Sequence, residues 1–154
     1  GRLMDAGPPA ARDEIAQIES LSRGALADVR ATVHGYRGVS TSGELAAARA
    51  ALESAGVSAD LPGSTDQVPA DRRELAGWVV REAVTNVVRH SGASACRVRL
   101  DNRSIEVVDD GCGPASTAST GSGLTGLRER VETSGARLTI GRSDLGGFKV
   151  KVAW

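Results

Sequence analysis

This 154-residue sequence has few aromatic residues, few cysteines and no excess of either charge. Two tryptophans, one tyrosine and one phenylalanine leave the core to be built from Val, Leu, Ile and Ala. Lys+Arg and Asp+Glu both number 19, so the charge gives no support for nucleic acid or an anionic membrane as main ligand. Cys96 and Cys112 are too few for a disulfide framework and lack zinc-type spacing. No apolar run approaches the roughly 20 residues that span a bilayer.

The first part of the chain predicts an amphipathic helix from about Ala11 to Arg37. Apolar and small residues recur at alternating spacings of three and four from Ile15 to Tyr36. So long an apolar stripe must be covered, so we expect it to pack on other helices, either upstream in a longer protein or across a dimer. The alternative is an ordinary core helix of the same domain.

Beyond Gly38 the pattern predicts the order α-β-α-β-β-loop-α-β-β. Thr41 and Glu44 have capping-box spacing for a helix that Gly56 stops, and Asp71 predicts the N-cap of the next helix. That helix should run to about Ser91 and bury a side that includes Val87 and Val88. Further predictions are strands at 57–61, 96–100, 105–108, 138–140 and 148–152, a loop at 109–123, and a short helix that ends at Gly135. Helices that share one face of a sheet indicate an α+β fold, a two-layer α/β sandwich.

The most informative stretch runs from Arg81 to His90, within the second of these helices. Glu82, Asn86 and His90 lie four residues apart, so they stack on one helix face. A carboxylate and an amide oxygen one turn apart can bind a hard cation that also carries phosphates. Taken alone, the same pattern also describes the solvated polar face of an amphipathic helix.

A glycine-rich turn follows the strand that ends at Val108. Asp109, Gly111 and Gly113 form a D-x-G-x-G pattern, whose glycines let the backbone approach a flat ligand. A buried Asp109 carboxylate could accept a hydrogen bond from an exocyclic amine. An aspartate that simply caps a turn is the alternative.

Two further glycines, Gly121 and Gly123, stand directly before Leu124 and the next predicted helix. Glycines at a helix N-terminus leave unpaired N–H groups and the positive dipole end facing an anion such as phosphate. The later turn at Gly146 and Gly147 is explained by hairpin chemistry alone.

In this order, the four segments resemble the N, G1, G2 and final glycine motifs of the GHKL ATPase superfamily, which includes histidine kinases, Hsp90, MutL and type II topoisomerases. The resemblance covers about residues 70–154 and implies the Bergerat ATP-binding fold. The run from Glu82 to Ser91 is similar to that of sensor kinases that pair with NarL/LuxR-type response regulators, and it most resembles the Gram-positive desaturase thermosensor type. The Gly126–Arg130 run and the short 110–121 loop are typical of the same subfamily.

The resemblance implies ATP and Mg²⁺ as cofactors and gives each motif residue a role. Asn86 would ligate Mg²⁺, and Glu82 would be its water-mediated partner or a polarising base. His90 would touch phosphate or the loop that covers it. Asp109 would bind the adenine amine, while the remaining residues would make room for the base (Gly111, Gly113) or hold the phosphates (Gly121, Gly123, Leu124).

The same resemblance implies two domains. Residues 1–40 would be the C-terminal remnant of a dimerisation and phosphotransfer hairpin, and residues 41–154 the ATP-binding catalytic domain. In this family a histidine followed by an acidic residue accepts the phosphate. His34 lacks that acid and His90 belongs to the ATP site, so we expect the acceptor to lie outside this sequence, which opens without an initiator Met as an excised piece would.

Implied partners are a LuxR/NarL-type response regulator, the protein's own upstream dimerisation helix and a second protomer in a homodimer, with no direct nucleic acid contact. We expect a cytoplasmic domain of a membrane-anchored sensor that acts as a histidine protein kinase. One alternative is a nucleotide-free scaffold or dimerisation module. Another is an anti-sigma-type serine kinase, against which the helix at 15–36 argues, because such proteins lack a preceding dimerisation hairpin.

Overall fold

A computed structural model describes residues 38–113 and 122–154 of the chain. Two predictions fall outside these residues in whole or in part: the helix at 11–37 with His34, and residues 114–121 of the loop predicted at 109–123, which include Gly121. Within the described ranges, no helix is long and apolar enough to cross a membrane.

The described helices and strands follow the predicted order. The helices are α1 (Thr41–Ser54), α2 (Arg73–Asn86) and α3 (Ser122–Thr133). A 3-10 turn (Ala70–Arg72) precedes α2, and a π-helical segment (Val87–Ser91) continues it. The strands are β1 (Ser58–Asp60), β2 (Ala95–Leu100), β3 (Ser104–Asp109), β4 (Arg137–Arg142) and β5 (Phe148–Ala153).

The five strands form one sheet in the order β1-β2-β3-β5-β4. Strand β1 pairs with β2 in parallel, and the other three pairings are antiparallel. The tight turn at 101–103 sets the pairing of β2 with β3, in which Val98 lies opposite Val107. Strand β3 therefore lies at the centre of the sheet, and its last residue, Asp109, lies at a sheet end flanked by β2 and β5.

One face of the sheet packs against the helices, and the other carries charged side chains. Inward residues such as Val98, Val107 and Val150 are buried with apolar residues of α1, α2 and α3, including Leu52, Val79 and Leu127. The alternate positions on β2 and β5 carry arginines and lysines: Arg97, Arg99, Lys149 and Lys151. The predicted two-layer α/β sandwich is confirmed.

Both predicted helix caps are wrong. The N-cap of α1 is Ser40, whose Oγ accepts a hydrogen bond from Gly43 N at 3.1 Å. The Thr41 hydroxyl instead donates to the carbonyl oxygen of Arg73 at 2.5 Å, which ties α1 to the start of α2. Asp71 lies inside the 3-10 turn, and α2 begins without a side-chain cap.

The end of α2 differs from a regular helix. The π-helical segment carries one more residue per turn, which rotates the residues after Asn86 about the axis. Val87 and Ser91 are buried, whereas Val88, predicted to be buried, is 39% exposed. Gly92 ends the segment in the left-handed conformation (φ 60°), as predicted.

Candidate functional site

Backbone N–H groups from the loop after β3 and from the first residue of β5 hold the carboxylate of Asp109, which is 1% exposed. Its Oδ1 accepts hydrogen bonds from Gly111 N at 2.8 Å and from Phe148 N at 3.2 Å. Its carbonyl oxygen accepts from Gly147 N at 3.1 Å and from Ser143 Oγ at 2.6 Å. A carboxylate oriented through one oxygen retains acceptor capacity on the other, so Asp109 can bind a donor group on a ligand.

Gly111 connects the loop after Asp109 to the end of the π-helical segment. Its missing side chain leaves room for the carbonyl of Ser91, because a Cβ at position 111 would overlap that oxygen. The same carbonyl accepts a hydrogen bond from Cys112 N at 2.9 Å. The D-x-G-x-G loop is therefore fixed to the element that also carries Asn86.

Gly147 and Gly113 form the other side of this loop. A Cβ on Gly147 would overlap Asp109 Oδ1 and lie 2.5 Å from Gly111 N. Gly113 has a φ of 76°, and its Cβ position lies 3.6 Å from the carbonyl oxygen of Gly147. The Gly146-Gly147 pair thus does more than form a hairpin, since Gly147 allows the β4–β5 turn to pack directly on Asp109.

The neighbouring Asp110 has a different environment. Its carboxylate accepts hydrogen bonds from the Ser94 hydroxyl, Ser94 N and Ala95 N, at 2.5 to 2.9 Å. These bonds, that of the Ser94 hydroxyl first, hold the pKa of Asp110 below its usual range. Asp110 therefore connects two segments of the fold and is not available to a ligand in the way that Asp109 is.

Glu82 on α2 lies against the first turn of α3. A Cβ built on Gly123 would overlap Glu82 Oε2, so the carboxylate end of Glu82 lies directly against this turn. Loss of solvent raises the pKa of Glu82, although Arg81, Arg130 and Arg89 lower it. The site therefore contains a desolvated carboxylate beside the N-terminal turn of a helix.

Two further contacts hold α3 antiparallel to α2. Arg72 Nη1 donates to the carbonyl oxygen of Ser134 at 2.9 Å, at one end of the helix pair. In the middle, the Arg130 guanidinium lies 3.8 Å from the ring centroid of Trp78, within cation–π range. The contact of Glu82 with Gly123 follows one turn farther along α2, and Asn86 lies one turn beyond that. The start of α3 is thereby directed toward Asn86.

The remaining predicted site residues differ in exposure. Asn86 is half-buried at the last turn of α2, and His90 is exposed on the π-helical segment. Leu124 is 4% exposed and packs in the core, so a ligand could contact only its main chain. Thus α2 and its continuation join Asn86, the Asp109 loop and the start of α3, whereas the position of Gly121 lies outside the described residues.

Glu82 leads to a pH-dependent prediction. A raised folded-state pKa means that the protonated carboxyl group contributes stability at low pH. This contribution is lost as pH rises through the folded-state pKa. Glu82→Gln should therefore melt higher than wild type at about pH 8, and the difference should shrink toward about pH 4, near the ordinary pKa of Glu. Thermal melts across this range measure it, with Glu132→Gln on the exposed side of α3 as the control. Parallel pH profiles of wild type and Glu82→Gln would contradict the prediction.

Sequence reasoning missed Ser91, Ser143 and the second function of Gly147. The two serines belong to no recognised motif, and their bonds connect segments far apart in the chain. Only the Gly146-Gly147 pair carried a signal, because adjacent glycines fit both a hairpin and a close backbone approach.

Comparison with known proteins identifies the family and the fold of the chain. Residues 71–154 match the family model described as histidine kinase-, DNA gyrase B- and HSP90-like ATPase. The chain is 31% identical over 147 residues to the sensor histidine kinase DesK of Bacillus subtilis, covering 90% of this chain and 40% of the relative. It is 30% identical over 145 residues to the sensor histidine kinase YvfT of the same organism, covering 90% and 39%. The chain thus spans about two fifths of the length of these relatives.

Solved structures show the same fold at low identity. The cytoplasmic segment of the histidine kinase QseC superposes with a TM-score of 0.55 at 20% identity, covering 91% of this chain and 93% of that one. The histidine kinase domain of the blue-light activated kinase EL346 of Erythrobacter litoralis gives 0.58 at 19% identity, covering 79% and 66%.

Proposed function

This chain belongs to the histidine kinase-, DNA gyrase B- and HSP90-like ATPase family, and from this membership we propose that it is the ATP-binding catalytic part of a two-component sensor histidine kinase. The observation that carries the proposal is the single element formed by α2 and its π-helical continuation. It holds Asn86, contacts the loop after Asp109 through Ser91, and contacts the start of α3 through Glu82. The names of the Bacillus relatives support a kinase over the other ATPases of the family.

The residues at the Asp109 end fit an adenine base. Asp109 would accept a hydrogen bond from the exocyclic amine, and Gly111 and Gly147 let the Ser91 carbonyl and the β4–β5 turn pack directly on the loop that carries this carboxylate. Because two N–H groups already bind Oδ1, the carboxylate keeps its direction when a ligand enters. Water exclusion strengthens this bond, since Asp109 is almost fully buried.

The residues at the other end fit a magnesium-bound triphosphate. Asn86 would hold the ion through its amide oxygen, and Glu82 would orient water beside it. Backbone N–H groups from Gly121 to Leu124 would bind phosphate oxygens, with His90 at the edge. Mg²⁺ keeps few protein ligands and binds substrate phosphates, so one amide side chain beside the proposed phosphate site is enough to hold it. Bound ATP–Mg²⁺ supplies the phosphoryl group for transfer through a loose transition state.

The phosphate acceptor lies outside this chain in our proposal. The chain has two histidines, His34 and His90. No acidic residue directly follows His34, and His90 lies on the π-helical segment beside the proposed phosphate site. Residues 1–40 would be the end of the dimerisation hairpin, and residues 41–154 the catalytic domain. The complete protein would be a homodimer anchored in a membrane, with this part in the cytoplasm, that passes the phosphoryl group to a NarL/LuxR-type response regulator.

Nucleotide binding is the direct test. ATP with Mg²⁺ should raise the melting temperature of the chain, because a ligand that binds only the folded state stabilises it by about 2.7 kcal/mol at 100 times its Kd. Asn86→Asp should abolish this shift, because it places a second negative charge one turn from Glu82. That charge would repel the phosphates of ATP. Asn102→Asp, on the exposed β2–β3 turn, is the matched control and should retain the shift. A wild-type melting temperature indifferent to ATP–Mg²⁺ would disprove the proposal.

A further inference from the structure

Ser143 lies in the turn between β4 and β5 and is 7% exposed. Its hydroxyl donates to the carbonyl oxygen of Asp109 at 2.6 Å, across 34 residues of sequence. Ser143 Oγ also accepts hydrogen bonds from Leu145 N at 3.0 Å and Gly147 N at 3.2 Å. One buried hydroxyl therefore joins the turn to the residue that the proposed function makes the adenine acceptor.

We propose that Ser143 is a positioning residue for adenine recognition: its hydroxyl sets the direction of the Asp109 carboxylate and so determines the preference for a purine with an amine at position 6. The inference rests on the proposed function, because it takes Asp109 as the group that binds this amine. Ser143 itself touches no base. It acts through Asp109.

Two connections lead from the hydroxyl to the carboxylate. The first is the Asp109 carbonyl, which accepts hydrogen bonds from both Ser143 Oγ and Gly147 N and is thereby fixed relative to the turn. The second runs through the turn itself. Ser143 Oγ holds Gly147 N, and the next residue, Phe148, donates its N–H to Asp109 Oδ1. Removing the hydroxyl loosens both the main chain that carries the carboxylate and the donor that orients it.

A purely local function must be distinguished from this one. Serine hydroxyls often stabilise turns by accepting hydrogen bonds from backbone N–H groups a few residues ahead. Ser143 accepts such bonds from Leu145 and Gly147. That function predicts lower stability with unchanged base preference. Positioning of Asp109 predicts a change in base preference, because the carboxylate is the group that the proposed function places at the amine in position 6.

The test compares ATP with inosine triphosphate (ITP), whose carbonyl replaces the amine. Titration calorimetry with Mg²⁺ present gives the ratio of the ITP Kd to the ATP Kd. In Ser143→Ala this ratio should fall roughly fivefold, the effect of weakening about one hydrogen bond, through weaker ATP binding. Ser134→Ala is the matched control, because its hydroxyl also donates to a carbonyl, that of Val131 at 2.7 Å, but at the end of α3. Its ratio should equal that of wild type.

Each outcome separates the inference from the proposed function. If wild type prefers ATP and Ser143→Ala keeps the same ratio with a lower melting temperature, Ser143 is only a turn residue and the inference fails while the proposed function stands. If wild type binds neither nucleotide, both fail. Should Ser143→Ala not fold, Ser143→Cys replaces it, because a thiol is a weak donor and acceptor, and the same fall in the ratio is expected.

Discussion

Replacing Asp109 with asparagine is expected to abolish the ATP-dependent rise in melting temperature and to weaken ATP binding by roughly 100-fold. The reason is the hydrogen-bond pattern around Oδ1, which accepts from Gly111 N and Phe148 N. An asparagine must place its amide oxygen there to satisfy the same donors. Its NH₂ group then takes the place of the other carboxylate oxygen, and a donor faces the adenine amine where an acceptor stood. An unpaired buried donor costs about 1–3 kcal/mol, which corresponds to this loss.

A second expected effect of Asp109→Asn concerns the binding of ITP. ITP offers a carbonyl acceptor at position 6, so the variant should bind it better than wild type does. Titration calorimetry with both nucleotides measures the reversal. Asp110→Asn is the matched control, since Asp110 binds Ser94 and Ala95 and should influence stability but not the choice of base. Equal ATP affinity in wild type and Asp109→Asn would contradict the assignment of Asp109.

Gly147→Ala should lower the melting temperature by about 10 °C and remove ATP binding. The added Cβ overlaps Asp109 Oδ1 and the Asp109 carbonyl and lies 2.5 Å from Gly111 N. Two of these three atoms belong to the backbone, so the turn must move away from β3 and take the Phe148 N–H with it. Overpacking a tight contact costs about 1–3 kcal/mol, and each kcal/mol lowers the melting temperature of a domain of this size by about 4 °C.

Gly141→Ala provides the comparison for Gly147→Ala on the same hairpin. No atom lies within 4 Å of the Cβ position of Gly141. Alanine is also less costly to order in a strand, by about 0.5–1 kcal/mol. Gly141→Ala should therefore melt at or slightly above the wild-type temperature and bind ATP normally. If Gly147→Ala had the melting temperature and the ATP affinity of Gly141→Ala, the turn would not pack on Asp109 as described.

The order of helices and strands could be predicted from the sequence because local patterns determine it. Val98 between two arginines and Val150 between two lysines place one side of each strand in the core, whatever the rest of the chain does. The turn at 101–103 fixes the antiparallel partner of β2. Glycines after helices, such as Gly56 and Gly92, mark the helix ends correctly.

Features that depend on distant residues could not be predicted in this way. Ser40 and Thr41 have the same capping chemistry, and the Arg73 carbonyl, 32 residues away, draws the Thr41 hydroxyl out of the cap. The π-helical turn after Asn86 has no periodic signal of its own, so the prediction of a buried Val88 is wrong. The motif residues of the candidate site were recognisable, but Ser143 and Ser91 act through bonds to residues that sequence spacing does not connect.

The attachments on either side of residues 114–121 have a consequence for how this domain can change in evolution. The Asp109 loop is attached through Ser91 before the stretch, and α3 is attached through Arg72 and Trp78 after it. All of these contacts are made by residues outside the stretch. Inserted residues there would leave both attachments intact. Length variants among homologues, or a tag inserted before Gly121, should therefore preserve the fold of the described residues.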